Sequence, residues 1–221
     1  SSGQLAGALA NARLQLRTEA MPTHGQTRHL AARPVHALRW ALGVMEEGEV
    51  PSLDLRLTES ERCKGQDALA RVLRGVKERG LPKLAIFPNA TGSKLLAPNW
   101  WHDFTTELVA QRGAVCVIEL VSADGASRLG GGYPTYYTSD PRKLASFIEA
   151  AGTYVSADCG VMHLAAATRA TTVGLFGPTD PARYGPYGGD NAAIVCDDGC
   201  PRLAARQVAA HLARLENRAH I

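Results

Sequence analysis

Two short polar segments contain the residues that could contact a phosphate group. The first, Asp158-Cys159-Gly160, lies between an apolar, β-rich run and a run of small and apolar residues typical of a buried helix. The second, Thr91-Gly92-Ser93-Lys94, follows another apolar run. A glycine that opens a helix lets backbone amides approach an anion, and the helix dipole favours a phosphate there. Because a lysine adds a positive charge, the two segments together predict a phosphate-bearing small molecule as ligand.

The elements that must position the first segment form one compact unit. Thr153 to Ala157 and Thr171 to Phe176 predict two buried strands, and Val161 to Thr168 predicts a helix between them. Two parallel strands joined by a helix make a βαβ unit, whose ligands lie beyond the carboxyl ends of the strands. The loop Gly177 to Asp180 follows the second strand, so we expect it at the same edge.

The rest of the chain alternates strand and helix patterns, which indicates a doubly wound, parallel α/β sheet. Asp140 and Pro141 are typical of the start of a helix, because the aspartate can cap it and the proline fits its first turn. A separate amphipathic pattern, with Gly80 as its stop, predicts a helix before the first strand. The predicted strands are 84–87, 114–119, 133–138 and 192–196, and the helices are 66–79, 101–112, 142–151 and 203–217.

The amino-terminal residues cannot enclose a core of their own. Gln4 to Arg17 and Pro34 to Leu42 predict two helices, and Glu46 to Leu57 reads as a connector compatible with an edge strand. We therefore expect two parts: residues 1–57 as a remnant of a second Rossmann-like domain with a linker, and residues 58–221 as a complete one. Helices that dock on the larger domain are the alternative for the first part.

Composition narrows the possible partners. The 221 residues are 45% hydrophobic with a mean hydropathy of −0.12, typical of a soluble globular protein. The formal charge is +3 and no Lys/Arg block with interleaved aromatic residues is visible, so a nucleic-acid partner is not expected. Slight basicity suits an anionic ligand or an anionic membrane surface. No apolar run is long enough to span a bilayer, and no signal peptide is visible. Five cysteines without paired spacing indicate reduced thiols in a cytoplasm, with neither disulfides nor a zinc site.

The motif from Asp158 to Ala167, followed by Phe176 to Pro181 and Tyr187-Gly188, resembles glycosyltransferase family 9, the ADP-heptose:lipopolysaccharide heptosyltransferases. The family pattern is Asp-Ser/Thr-Gly-x-x-His-Leu-x-Ala-Ala, then Phe-Gly-Pro-Thr-Asp-Pro. The resemblance extends more weakly from Gln4 to the carboxyl terminus. It implies a GT-B fold, with two Rossmann-like domains facing a cleft: the carboxyl-terminal, donor-binding domain is complete here and the amino-terminal one incomplete.

The resemblance also implies a reaction. An inverting transferase would move heptose from ADP-heptose to a lipid-linked saccharide, the lipopolysaccharide inner core, without a cofactor or an obligatory metal. Its place would be the cytoplasm, at the inner face of the inner membrane. The family's general base, an Asp in the first glycine-rich loop of the amino-terminal domain, has no counterpart in this sequence. A nucleotide-sugar-binding module without turnover is therefore the alternative. A different GT-B enzyme, such as a nucleotide-sugar epimerase, is disfavoured by the motif from Phe176 to Pro181.

Several candidate residues have a purely structural alternative. Asp158 could cap a helix, His163 could be a buried histidine, Lys94 could be a solvated loop lysine, and Asp180 could only form a turn with Pro181. Glu119 or Asp124 could bond the ribose of the donor. With the resemblance, the donor-binding candidates are Thr91, Gly92, Ser93, Lys94, Asp158, Cys159, Gly160, His163, Thr179 and Asp180.

Lys94 and Cys159 differ from the other candidates in their chemistry. Lys94 is also the candidate that stabilises the leaving diphosphate. Cys159 stands where the family has Ser or Thr, and a thiol is a weaker hydrogen-bond donor than a hydroxyl. Its side-chain contact with a phosphate is thus weakened, while the backbone contact is kept. No metal ligand is expected.

Overall fold

The structure is a computed structural model that describes residues 29–44, 48–196 and 199–219. The described residues fall into two compact units that divide between Pro51 and Ser52. The predicted helix Gln4 to Arg17 lies outside the described residues. Assignment of residues 1–57 to a second domain stays a prediction.

The described residues of the first unit contain one α-helix, α1 (Arg33–Ala41), preceded by a 3-10 turn at Leu30–Ala32. Pro34 stands in its first turn, where a proline is favoured, as the sequence predicts. After the helix, the Arg39 guanidinium donates hydrogen bonds to the carbonyls of Gly48 and Glu49.

The second unit is a parallel sheet with helices on both faces, as predicted. In chain order its helices are α2 (Glu59–Val72), α3 (Pro98–Arg112), α4 (Pro141–Ala151), α5 (Gly160–Ala166), α6 (Pro181–Tyr184) and α7 (Pro201–Ala219). Its strands are β1 (Lys83–Phe87), β2 (Cys116–Leu120), β3 (Thr135–Tyr136), β4 (Thr153–Ala157), β5 (Thr171–Phe176) and β6 (Ala192–Val195).

All strand pairs are parallel and the order is β3-β2-β1-β4-β5-β6, the Rossmann order. Strand β4 pairs with β5 from Thr153 opposite Thr171 to Ala157 opposite Leu175. Both faces of the central strands are apolar, as expected for a sheet covered on both sides. The βαβ unit predicted from residue 153 is therefore the centre of the sheet.

The core lies in two layers, because successive residues of a strand point to opposite faces. Leu84 and Ile86 of β1 pack on one face with residues of α3 and α7, such as Phe104 and Val208. Ala85 packs on the other face with residues of α2, α4 and α5. These two apolar layers fix the sheet, and the sheet fixes the loops at its carboxyl edge.

The predicted helix 66–79 is wrong at both ends. Helix α2 begins at Glu59, because Thr58 and Glu61 form a capping box, and its last residue is Val72. Gly75 then adopts a left-handed φ of 82°, which interrupts the helix, and Lys77–Gly80 forms a separate 3-10 turn.

Two smaller expectations also differ from the structure. Residues 48–57 contain no strand, so the edge strand compatible with Glu46 to Leu57 is wrong over the described residues. The predicted turn at Asp180 continues into the short helix α6, because the Asp180 carboxylate accepts a hydrogen bond from the Ala182 amide.

Helices α2 and α4 pack closely. A Cβ atom added at Gly65 would overlap the carbonyl group of Ser146, so only glycine allows this approach. Arg142 contacts Glu61 through two nitrogen atoms, and Arg62 contacts Glu149 at 2.7 Å. The hydrogen bond from Arg142 holds the pKa of the Glu61 carboxyl far below its ordinary value, with a further contribution from Thr58. These contacts hold α4 against α2 along its length.

None of the helices in the described ranges is both long enough and apolar enough to cross a membrane.

Candidate functional site

A cleft of about 650 Å³ opens beyond the carboxyl ends of β1 and β4. The strand order reverses between these two neighbouring strands, so the cleft lies at the switch point where open α/β sheets bind ligands. The residues that line it come from the loops after β1, β2, β3 and β4 and from the first turns of α4 and α5. They are Phe87, Asn89, Ala90, Thr91, Lys94, Ser122, Thr138, Ser139, Pro141, Leu144, Cys159, Gly160, Val161 and Leu164.

Lys94 and Thr179 converge on one carboxylate oxygen. The Lys94 Nζ donates to Asp158 Oδ2 at 3.3 Å, and the Thr179 hydroxyl donates to the same oxygen at 2.9 Å. Asp158 is buried, whereas the Lys94 side chain keeps 27% of its surface exposed and lines the cleft. The aspartate thus holds the lysine at the cleft wall, where part of the lysine side chain stays accessible.

The structural alternative for Asp158, an N-cap, does not describe its contacts. Cys159 is the N-cap residue of α5 and gives no side-chain cap. Asp158 precedes it, and its side chain bonds to Lys94 and Thr179 instead. The first turn of α5 therefore lies at the cleft without a side-chain cap on its amides, which leaves them available to an anion.

The fold itself does not require a glycine at position 160. It opens α5 without a left-handed φ, and a Cβ atom built on it would meet nothing within 4 Å. Gly174 in β5 is the opposite case, since a Cβ atom there would overlap Met162 Sδ and lie 2.8 Å from a Phe176 ring carbon. The open space at Gly160 belongs to the cleft, where a ligand can approach the backbone.

Behind Cys159 lies a small buried polar group. The Cys159 Sγ is 3.7 Å from the Ser156 hydroxyl, which donates to the Ala157 carbonyl. The fully buried Tyr154 hydroxyl is adjacent and makes no hydrogen bond of ordinary geometry within the described residues. Burial raises its pKa well above the ordinary value, so it is a neutral phenol.

The structure brings most of the predicted donor-binding residues together. Thr91, Lys94, Cys159 and Gly160 line the cleft. A smaller cavity of about 40 Å³ beside it is lined by Ser93, Lys94, Asp158 and Thr179, among others. Lys94 therefore separates the two cavities, although contact with a donor stays a prediction for each of these residues.

Three predicted residues line neither cavity. Gly92 begins a 3-10 turn with a φ of 62°, and His163 is half-buried in α5. Asp180 is exposed and its side chain caps α6, a structural role that replaces the simple turn considered for it. A direct contact of these three with a donor also stays a prediction.

Other cleft residues escaped the sequence reasoning. Asn89 donates a hydrogen bond of 2.5 Å to Ser122, joining the loops after β1 and β2. Thr138 and Ser139 approach from the loop before α4. Their position just after predicted strands was the sequence signal that could have identified them. That their loops lie next to each other follows only from the strand order.

Glu119, considered as a ribose ligand, has a structural role. It is fully buried and its carboxylate accepts hydrogen bonds from the Ser127 hydroxyl and the amides of Arg128 and Leu129. This carboxylate fixes the glycine-rich loop after β2. Asp124, the other candidate, accepts from the Ala126 amide and contacts Arg128 at 3.6 Å.

The five cysteines are thiols rather than disulfides. Within the described ranges, no three His, Cys, Asp or Glu side chains gather in a way that could hold a metal ion.

Comparison with known proteins identifies the fold. The crystal structure of a glycosyl transferase family 9 protein from Veillonella parvula aligns with a TM-score of 0.61 and 19% identity, over 82% of this chain and 50% of that one. The E. coli heptosyltransferase WaaC with ADP gives 0.61 and 18%, over 86% and 57%. E. coli ADP-heptose lps heptosyltransferase II gives 0.62 and 17%, over 96% and 69%. The chain thus spans about half the length of the first of these proteins, and the shared property at these identities is the fold.

The sequence comparisons add a family match over one segment of the chain. No curated protein matches the chain significantly. The family model "Glycosyltransferase family 9 (heptosyltransferase)" matches residues 142–211, a segment that runs from α4 into α7 and contains the motif at Asp158. This match confirms the predicted resemblance to glycosyltransferase family 9 over that segment, and the chain shares the Rossmann-like fold of the GT-B heptosyltransferases with which it aligns.

Proposed function

We propose that this chain binds a nucleotide-diphosphate sugar, ADP-heptose, in the cleft and serves an inverting transfer of heptose to a lipopolysaccharide inner-core acceptor. The observation that carries the proposal is the pairing of Lys94 with an unobstructed helix start at Gly160 in one cleft at the switch point. The cleft volume of about 650 Å³ lies within the usual range for small-molecule sites.

Lys94 supplies the positive charge. An ammonium group has three donor hydrogens, and one of them faces Asp158, so the others can meet phosphate oxygens. Charge develops on the diphosphate as the bond to the sugar breaks, and a cation already fixed at that place stabilises the transition state. Asp158 acts here as a positioning residue, since its contact is with the lysine and Thr179.

Gly160 and the backbone around it supply the second half of the diphosphate site. The amides at the start of α5 have no side-chain cap and open onto the cleft. Without a Cβ atom at Gly160, phosphate oxygens can approach the main chain directly. Cys159 keeps its backbone amide for this contact although its thiol is a weak donor.

In the proposed reaction an acceptor hydroxyl oxygen forms a bond to the anomeric carbon of heptose, from the face opposite the diphosphate. The bond between that carbon and the diphosphate oxygen breaks, and ADP leaves with the electron pair against Lys94. The hydroxyl proton passes to a base that this sequence does not assign. ADP fits the proposal because WaaC, which shares the fold, was solved with ADP.

The proposal needs no metal ion or other cofactor, since Lys94 faces the diphosphate itself. Transfer that persists in excess EDTA is the expected result, and transfer that requires an added divalent cation would contradict this part. The acceptor is proposed as lipid-linked, at the cytoplasmic face of the inner membrane.

The first test is calorimetric titration of the purified chain with ADP, UDP and GDP. We expect ADP to bind best, and Lys94→Ala to weaken it about 10- to 100-fold, since a hydrogen bond to a charged group contributes roughly 1.5–3 kcal/mol. Lys64→Ala removes an exposed lysine from α2 and is the matched control, with unchanged binding. Equal affinities of the two variants would contradict the site.

A binding module without turnover is the second candidate, favoured by Cys159 in place of the family's hydroxyl residue. Incubation with ADP-heptose and inner-core lipopolysaccharide separates the two functions. ADP release with heptose on the acceptor supports the transferase. Tight donor binding with no transfer supports the module.

A further inference from the structure

The segment from Arg71 to Lys83 concentrates the positive charge of the chain. It contains five of the 24 basic residues but only one of the 21 acidic residues, Glu78, so the rest of the chain has 19 basic and 20 acidic residues. The slight formal charge of +3 therefore hides one strongly basic surface, which we call the basic patch. It consists of Arg71, Arg74, Lys77, Arg79 and Lys83.

The fold places the basic patch at the amino-terminal edge of the sheet. Lys83 is the first residue of β1, and Arg71 lies in the last turn of α2. Lys77 and Arg79 belong to the 3-10 turn between them. The donor cleft lies beyond the opposite, carboxyl ends of the strands, so the two surfaces are at opposite edges of one sheet.

The patch surrounds an apolar cavity. Arg74, Arg79 and Lys83 line a depression of about 420 Å³ together with Gln66, Leu69, Ala70 and Leu73. Its floor is the apolar face of α2, since Leu69 and Leu73 are more than nine-tenths buried. The surface thus combines a cationic rim with an apolar recess.

None of the five basic side chains forms an ion pair with a carboxylate in the described part of the chain, and all but Lys83 are exposed. Arginines elsewhere do find partners, such as Arg62 with Glu149 and Arg206 with Glu107. The dipole of α2 favours cations at its carboxyl end, which accounts for Arg71 and Arg74 but not for the other three. The positive charges of the five basic side chains are therefore available to an external anionic surface.

We propose that the basic patch docks the chain on an anionic phospholipid bilayer, with lipid phosphates on the rim and the recess facing the interface. Clusters of four to eight Lys and Arg residues bind anionic membranes, and each basic residue near the surface contributes roughly 1 kcal/mol. The segment contains no aromatic residue, which disfavours a single-stranded nucleic acid that needs stacking and a protein interface that needs aromatic anchors.

Co-sedimentation with vesicles tests the proposal on the purified chain. We expect binding to phosphatidylcholine vesicles that contain phosphatidylglycerol, little binding to pure phosphatidylcholine, and loss of binding at high ionic strength. The variant Arg74→Gln/Arg79→Gln/Lys83→Gln removes three charges and should reduce partitioning about 100-fold. Ala70→Glu should also weaken binding, because it places a carboxylate at the rim of the recess.

The matched control removes the same number of basic residues, all of them at exposed positions outside the patch: Lys64→Gln/Arg202→Gln/Arg214→Gln. This variant should bind vesicles within a few-fold of the original chain, and circular dichroism should show both triple variants folded. An equal loss of vesicle binding in the two triple variants would mean that the net charge of the chain alone determines binding, and would overturn the proposal.

Other anions distinguish the source of the phosphate. Inorganic phosphate, polyglutamate and duplex DNA are added as competitors at matched charge concentration. Weak competition by all three supports a bilayer, whereas a competitor that displaces the vesicles completely identifies a free anion, an acidic protein or a nucleic acid and overturns the proposal. ADP titration of the Arg74→Gln/Arg79→Gln/Lys83→Gln variant should be unchanged, so failure here leaves the donor-site proposal standing.

Discussion

Replacing Gly160 by alanine should affect the stability of the fold and the affinity for a ligand in opposite directions. The residue has no left-handed φ, and an added Cβ atom would meet nothing within 4 Å. Alanine is therefore accommodated without strain, and its better helix propensity gains up to about 1 kcal/mol of unfolding free energy. The affinity of the proposed donor site for ADP is expected to fall.

The expected loss of ADP affinity follows from the backbone contact that the added methyl group would block. If phosphate oxygens bond directly to the backbone at the start of α5, loss of one such charge-assisted hydrogen bond costs roughly 1.5–3 kcal/mol. The ADP dissociation constant should then rise about 10- to 100-fold for Gly160→Ala. Isothermal titration calorimetry gives the affinity, and urea unfolding followed by circular dichroism gives the stability.

Gly174→Ala is the matched control in the same βαβ unit. Its Cβ atom would overlap Met162 Sδ, so we expect a loss of about 1–3 kcal/mol in unfolding free energy with ADP affinity preserved in the folded protein. The reasoning is refuted if Gly160→Ala binds ADP as tightly as the original chain, or if it is as destabilised as Gly174→Ala.

Two further predictions concern stability. Arg142 and Thr58 hold the pKa of Glu61 below its ordinary value of 4.5, so this carboxylate stabilises the fold above that pH and the contribution is lost as the pH falls below it. Glu61→Gln should therefore lose less stability than the original chain between neutral pH and pH values below 4.5, measured by urea midpoints; an identical pH dependence would exclude the pair as a contributor. Tyr154→Phe removes a buried hydroxyl that makes no hydrogen bond of ordinary geometry in the described residues, although Ser156 and Cys159 lie beside it, and should raise the unfolding free energy by about 1 kcal/mol. A lower urea midpoint for Tyr154→Phe would show that the hydroxyl is bonded in solution.

The sequence predicted the sheet well because its strands are short, apolar and separated by helices. Strands β4 and β5 have the predicted bounds, since Gly152 and Gly177 flank them. The error in α2 arose from periodicity: Leu69, Val72 and Val76 have helical spacing, but Gly75 turns the chain between the last two. The Thr58 and Glu61 capping box was a visible signal for the true start.

The site was less predictable, because its geometry depends on contacts between distant residues. Lys94 and Asp158 are 64 positions apart, and only the pairing of β1 with β4 brings their loops together. Likewise, Asn89 and Ser122 meet because β1 and β2 are neighbours. The motifs indicate which residues lie at the carboxyl edge of the sheet. Which of these residues contact each other depends on the strand order, which the motifs do not give.

The single oxygen that accepts from both Lys94 and Thr179 has a mechanical consequence. It connects the loops that follow β1, β4 and β5, so a displacement of one loop is transmitted to the other two. It also orders a long lysine side chain in advance, and that ordering otherwise costs up to about 2 kcal/mol of rotamer entropy when a ligand arrives. A change at Thr179 therefore reaches the Lys94 side chain and the cleft through this shared oxygen, whether or not Thr179 itself contacts a ligand.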